Sequence, residues 1–171
     1  MWFWILGGIV LVFGVVVFRG APYVPSHRRQ VERAFDELYP LSDKDIVADV
    51  GSGDGIILRL ASLRGARAIG YELNPILVAL SQLLSLRDKK VQVRLSDFWL
   101  VSLPHETTVV YGFLVIRDIE KMARKLQREA NRMKHPIYFI SYGAEIASRP
   151  KLREVGAHHL YRFDPLQAPK P

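Results

Sequence analysis

Three glycines at alternate positions, Gly51, Gly53 and Gly55, follow the apolar run Ile46 to Val50 and precede an apolar-periodic segment, Ile56 to Leu63. The pattern predicts a buried parallel strand, a tight turn that includes Ser52, and a helix. Glycine supplies positive φ and lets a ligand approach the backbone, and the first turn of a helix offers unpaired N–H groups beside that approach. Asp49 stands two places before the first glycine. Its carboxylate repels a pyrophosphate, and the third glycine of a dinucleotide fingerprint would fall at position 56, which is Ile56. The ligand these residues suit carries positive charge, as an ammonium and a sulfonium do.

A second acid stands where such a unit needs it. The strand predicted over Ala66 to Tyr71 ends in Glu72, about twenty residues past the first glycine, the offset of a ribose-binding carboxylate in nucleotide-binding α/β units. The third strand, Val91 to Leu95, ends in Ser96-Asp97-Phe98-Trp99, a carboxylate for an adenine amino group and aromatic surface for its ring. Acids at three successive strand ends point to S-adenosylmethionine. The expected cofactor-binding residues are Asp49, Gly51, Ser52, Gly53, Gly55, Glu72, Asn74, Asp97 and Phe98. Asn74 also caps the helix predicted over Ile76 to Leu86, with Pro75 at its first position.

Five segments carry a resemblance to a known family: Pro22 to Ser26, Arg29 to Glu32, Asp49 to Gly55, Gly70-Tyr71-Glu72-Leu73-Asn74-Pro75, and Asp97-Phe98-Trp99. Together they resemble the mitochondrial lysine methyltransferases of the adenine nucleotide translocase and the ATP synthase c-subunit, with their prokaryotic relatives. The similarity runs from about residue 21 to residue 165. It implies a class I, seven-strand methyltransferase fold, S-adenosylmethionine as donor, and a membrane-tethered enzyme acting on protein lysine. The chain departs from the family at Ile56, where an arginine is usual, and at Gly112-Phe113-Leu114 after the fourth strand, where the family varies.

The elements that position these residues follow from periodicity. Residues 1–18 contain no charge and are almost wholly apolar. As a helix they would span about 27 Å at ~1.5 Å per residue, against a hydrocarbon core of ~30 Å. The first positive side chain, Arg19, comes after the run, unlike a cleaved signal peptide, so an uncleaved transmembrane anchor over residues 1–20 is expected. Trp2 and Trp4 suit the far interface, and Arg19, Arg28, Arg29 and Arg33 put the domain, residues 21–171, on the cytoplasmic face of the membrane. From Pro25-Ser26 an amphipathic helix runs to about Tyr39, with Val31, Phe35 and Leu38 on its apolar face. The dense apolar run Ile76 to Leu86 is expected to be buried against the sheet. Thr107 to Leu114 and Pro136 to Tyr142 read as the fourth and fifth strands. Arg117 to Met133 reads as a helix burying Ile119, Met122, Ala123, Leu126, Ala130 and Met133, with its charges on the other face. His158 to Phe163 reads as a strand pairing antiparallel with one near Lys151 to Val155. The predicted fold is α/β, a Rossmann-like three-layer sandwich preceded by one transmembrane helix.

With no cysteine, the chain has no disulfide framework and no thiolate nucleophile. His158 and His159 alternate faces of one strand, so they do not chelate one ion together, and no metal site is expected. The net charge of +7 admits RNA as a partner. Most of the basic residues, however, alternate with acids on helix faces and suit an anionic leaflet equally. Methyl transfer asks mainly for alignment. A lysine acceptor must lose its proton, at a cost of ~4.6 kcal/mol at neutral pH, and an apolar channel lowers that cost. Tyr23, Trp99, Tyr111 and Phe113 are the expected lining, with Tyr23 and Trp99 as the candidate catalytic residues. The expected function is a membrane-anchored protein-lysine methyltransferase, against the alternatives of an RNA methyltransferase or a non-catalytic S-adenosylmethionine-binding module. Too few residues follow the fifth strand for a helical cap, so the acceptor side is expected to be open.

Overall fold

The computed structural model describes residues 2–4 and 27–166. Helix α1, Arg28–Arg33, runs on into a π-helical segment, Ala34–Leu38. Three further helices, α2 (Ile56–Ser62), α3 (Pro75–Leu84) and α4 (Ile116–Met133), alternate with strands. The strands are β1 (Ile46–Val50), β2 (Arg67–Glu72), β3 (Val91–Leu95), β4 (Val109–Phe113), β5 (Ile137–Tyr142), β6 (Arg153–Val155) and β7 (His158–Phe163). They form one sheet in the order β3-β2-β1-β4-β5-β7-β6. Strands β1 to β5 are parallel, and β7 runs antiparallel to both of its neighbours.

Position in the sheet explains burial. All five residues of β1 are buried because that strand has partners on both edges and helices over both faces. At the sheet edge, only Val93 of β3 is buried. One core, with Val31, Phe35, Leu58 and Tyr111, lies under α1 and α2. The other, with Met122, Leu126, Phe139 and Tyr161, lies under α4. All six apolar residues expected to face inward on α4 are buried. Its charges are not all solvated, however: Lys125 and Glu129 are buried as well, and the Lys125 ammonium donates to the Val101 carbonyl at 2.6 Å. The parallel strands, the antiparallel β6–β7 pair and the seven-strand three-layer architecture agree with the sequence reading.

Two expectations need correction. Among the described residues no helix is long and apolar enough to cross a membrane. The longest, α4, has 18 residues, but it is amphipathic and strongly charged. Most of residues 1–18 lies outside the described residues, as do Tyr23 and the linker before α1. The fold of the described residues is the seven-strand sheet with its helices, and the transmembrane helix expected ahead of it is not among them.

The second correction concerns α3, whose apolar run is not buried. Its inward face is Val78, Ser81 and Ser85, while Ile76, Leu80, Leu83 and Leu84 are exposed. The turn after β1 explains this. Gly55 has φ 80° and a side chain added to it would collide with Ser81 Oγ, so only a small residue fits at that level of α3. With Ser81 turned inward, 3.6-residue periodicity carries the leucines outward.

Gly55→Ala is therefore expected to cost at least about 2 kcal/mol, from left-handed strain and overpacking together. Pairing it with Ser81→Gly should return the steric part. Urea unfolding of the four proteins of that cycle gives the coupling, and simple additivity would refute the contact as the cause.

Candidate functional site

The site is built at the carboxyl ends of β1 and β2. The Tyr71 carbonyl accepts from the N–H groups of Gly51 (2.9 Å) and Ser52 (3.1 Å), which folds the turn back over β2. Glu72 then fastens it: Oε2 accepts from the Gly53 N–H at 2.9 Å, and Oε1 from the N–H groups of Leu73 and Asn74, each at 2.8 Å. One buried carboxylate thus joins two strand ends. Gly51, at φ 74°, has nothing within 4 Å of where a side chain would stand, so the turn presents open space on that side.

Asp49 faces this turn from within β1. It is buried, and its Oδ2 has no hydrogen-bond partner. Burial, then the nearby charges of Glu72 and Asp54, push its carboxyl well above the usual carboxylate range. A buried acid with one orphan oxygen beside two others is the arrangement a cation relieves.

The hydroxyl of the neighbouring residue on β4 is engaged elsewhere. Tyr111 lies beside Asp49 in the β1–β4 register, and its hydroxyl is 2.9 Å from His158 Nε2. The two groups share one buried hydrogen bond whose direction is set by the imidazole tautomer. Burial, with His159 nearby, lowers His158 to about 4, and burial raises the Tyr111 phenol. Both groups are neutral near pH 7.

Phe113 and Tyr142, with ring centroids 5.6 Å apart, extend this wall along the ends of β4 and β5. Tyr142 lies 4.8 Å from the His158 ring and donates to Gln30 of α1 at 3.0 Å. Trp99 is not brought to this wall. It packs with the core on the opposite sheet face, and the Lys121 ammonium sits 4.0 Å over its ring. Phe98 is buried edge-to-face against Tyr71 and Trp99, Asp97 accepts from the Trp99 N–H at 2.9 Å, and Asn74 caps α3 through the Ile76 N–H at 2.9 Å. Gly55 serves packing with α3.

Sequence reasoning passed over Asp54, Tyr142 and His158. Asp54 accepts from the Ile56 N–H at 3.2 Å and pairs with Arg59, its place in the glycine turn being the one available signal. Glu145, Glu154 and His159 form a cluster of metal-ligand type, but the Lys151 ammonium already pairs with both carboxylates.

The ANTKMT methyltransferase domain family matches residues 49–145, more than half of the chain and the whole of this constellation up to β5. The chain belongs to this family. It is 39% identical over 112 residues to the ATP synthase c-subunit lysine N-methyltransferase of Xenopus laevis, an alignment covering 63% of this chain and 48% of that protein. It is 40% identical over 114 residues to the adenine nucleotide translocase lysine N-methyltransferase of Mus musculus, again covering 63% and 48%. The chain thus spans about half the length of these curated relatives. Among solved structures, an RNA methyltransferase from Salinibacter ruber in complex with S-adenosyl-L-homocysteine superposes with TM-score 0.74 at 26% identity, over 86% of this chain and 98% of that one.

The raised Asp49 carboxyl sets a sign for stability. The folded state holds its proton more tightly than the unfolded state does, so its contribution is full below about pH 3.8 and is lost as pH rises through the folded value. Asp49→Asn is expected to stabilise the free protein at pH 7 by on the order of 1 kcal/mol, with the gain vanishing in acid. Thermal melts of the two proteins from pH 4 to 8 check this, and a lower melting temperature for the variant at neutral pH would contradict it.

Proposed function

We propose that this chain is an S-adenosylmethionine-dependent methyltransferase whose acceptor is a lysine of a protein. The observation that carries the reading is the buried, unpartnered Asp49 Oδ2 facing a glycine turn in a domain of this family. That orphan oxygen and the open space at Gly51 fit the ammonium and sulfonium end of the donor. The lysine acceptor is supported by the activity for which the relatives from Xenopus laevis and Mus musculus are named.

Bound there, the donor supplies a methyl group on positive sulfur, open to in-line displacement. Asp49 holds the ammonium. Glu72 keeps the turn in place through three backbone bonds, and Oε2, which accepts only one of them, would have a lone pair left for a ribose hydroxyl. Asp97 serves the adenine amino group. On the acceptor side, Phe113 and Tyr142 receive the apolar stem of the lysine, and Tyr23, outside the described residues, stays a candidate from the sequence alone. Tyr111 and His158 are bonded to each other, with burial raising the phenol and lowering the imidazole, and neither is assigned as the base. The amine loses its proton to solvent.

A pH profile follows. With no protein base, turnover should rise about tenfold per pH unit from pH 7 to 9, tracking free lysine amine. A bell with a limb near pH 7 would place a base in the site. For the donor, Glu72→Ala should weaken S-adenosylhomocysteine binding by about ten- to a hundredfold, from loss of charge-assisted hydrogen bonds. Calorimetry measures this, and unchanged affinity would remove Glu72 from the site.

RNA methylation is the second reading, favoured by the likeness to the Salinibacter ruber enzyme and by the net charge of +7. Methyl-labelled donor, the full chain, and matched pools of total protein and total RNA decide between the two. Mass steps of methyl groups on lysine support the first reading, and label confined to RNA overturns it.

A further inference from the structure

The amphipathicity of α3 is inverted. Its buried stripe is Val78, Ser81 and Ser85, and the hydroxyls of both serines have no hydrogen-bond partner. Directly opposite, at helical spacing, stand Ile76 (54% exposed), Leu80 (41%) and Leu83 (68%). Leu84 flanks them, Leu86 follows at 78% exposure, and Leu63 beyond the end of α2 is 73% exposed. Scattered exposed leucines need no explanation, but an unbroken apolar stripe on the outer side of a helix needs a covering partner.

Charge at its border indicates which partner. Arg87, Lys89 and Lys90 follow α3 directly and are exposed. A groove of about 540 Å³ beside the helix is lined by Arg28, Arg59 and Arg87 together with Leu60, Leu63 and Leu84. Glu32 and Asp54 offset Arg28 and Arg59 there, so the positive excess at this border lies with Arg87, Lys89 and Lys90 against the one acid Asp88. Leucines bordered by arginine and lysine match acyl chains beneath anionic headgroups, the pattern of helices that lie in a bilayer interface.

We propose that the outer face of α3, with Leu63 and the Arg28–Arg59–Arg87 groove, is a docking surface for an anionic lipid bilayer. The helix lies in the interface with Ile76, Leu80 and Leu83 among the acyl chains and the basic groups at phosphate level. The proposal is independent of methyl transfer, because the surface is distinct from the acceptor wall of Phe113 and Tyr142.

The full chain has no cysteine, so Leu83→Cys offers one labelling site for a polarity-sensitive fluorophore. With phosphatidylcholine vesicles containing phosphatidylglycerol, the label should shift to the blue and be quenched by nitroxide lipids. With phosphatidylcholine alone it should respond far less. The same label at Arg124→Cys, exposed on α4, should stay aqueous throughout. In the unlabelled chain, Leu80→Gln with Leu83→Gln should weaken partition into anionic vesicles by about tenfold or more. Unchanged partition of that double variant refutes the surface, and so does a label at Leu83→Cys that stays aqueous while the chain binds vesicles. A label already in an apolar setting without lipid, or a dimer that the double variant dissociates in light scattering, also overturns the proposal, by assigning the face to this chain or to a second copy.

Discussion

Everything at the head of the sheet depends on how one carboxylate is spent. Glu72 accepts three backbone N–H groups from two chain segments, so the turn after β1 and the turn after β2 cannot move separately. Charge-assisted bonds of this kind are roughly twice as strong as neutral ones, and here they are buried. The glycine turn is therefore held open and preorganised by its neighbouring strand, with Gly51 and Ser52 pinned to the Tyr71 carbonyl as a second tie. Binding energy is then not consumed in ordering it.

The same pocket leaves Asp49 unsatisfied. A carboxyl buried near Glu72 and Asp54 costs the free protein stability, and the hydroxyl of Tyr111, its register partner on β4, does not bond to it. That hydroxyl is held instead by His158, which comes from the antiparallel strand at the other side of β5. Asp49 Oδ2 therefore stays without a partner, and the cost of an unsatisfied group at a site is tolerated because the surrounding sheet is fixed. The wall that does this also supplies the apolar surface of Phe113 and Tyr142, so donor and acceptor sides share one row of aromatic rings.

Packing at the glycine turn reaches further than the pocket. Gly55 brings the backbone against Ser81, and the need for a small side chain at that point turns α3 over. The ligand turn and the leucine-covered outer surface are two consequences of one close approach. Geometry that suits a ligand on one side of the turn has set the character of the molecular surface on the other.

Strand and helix periods were legible along the chain from α1 to β7, because apolar residues recur at two or 3.6 residues wherever one face is buried. The glycine turn, Glu72 at the end of β2 and the antiparallel return of β7 could be read from spacing alone, since strand ends and turns are local events. The orientation of α3 could not, because hydrophobic density says that leucines want cover and not which side offers it; a serine opposite a glycine 26 positions away decided that. Likewise Trp99, in the loop after β3, and Tyr111, within β4, are both aromatic, yet they pack into opposite cores, a matter of strand parity and loop path. His158 carries no sequence sign of its role, for its partner is 47 residues distant and meets it only across the sheet. Local chemistry was determined by the sequence, and which groups share a pocket was decided by tertiary contact, because hydrogen bonds and collisions between distant residues exist only once the sheet has brought them together.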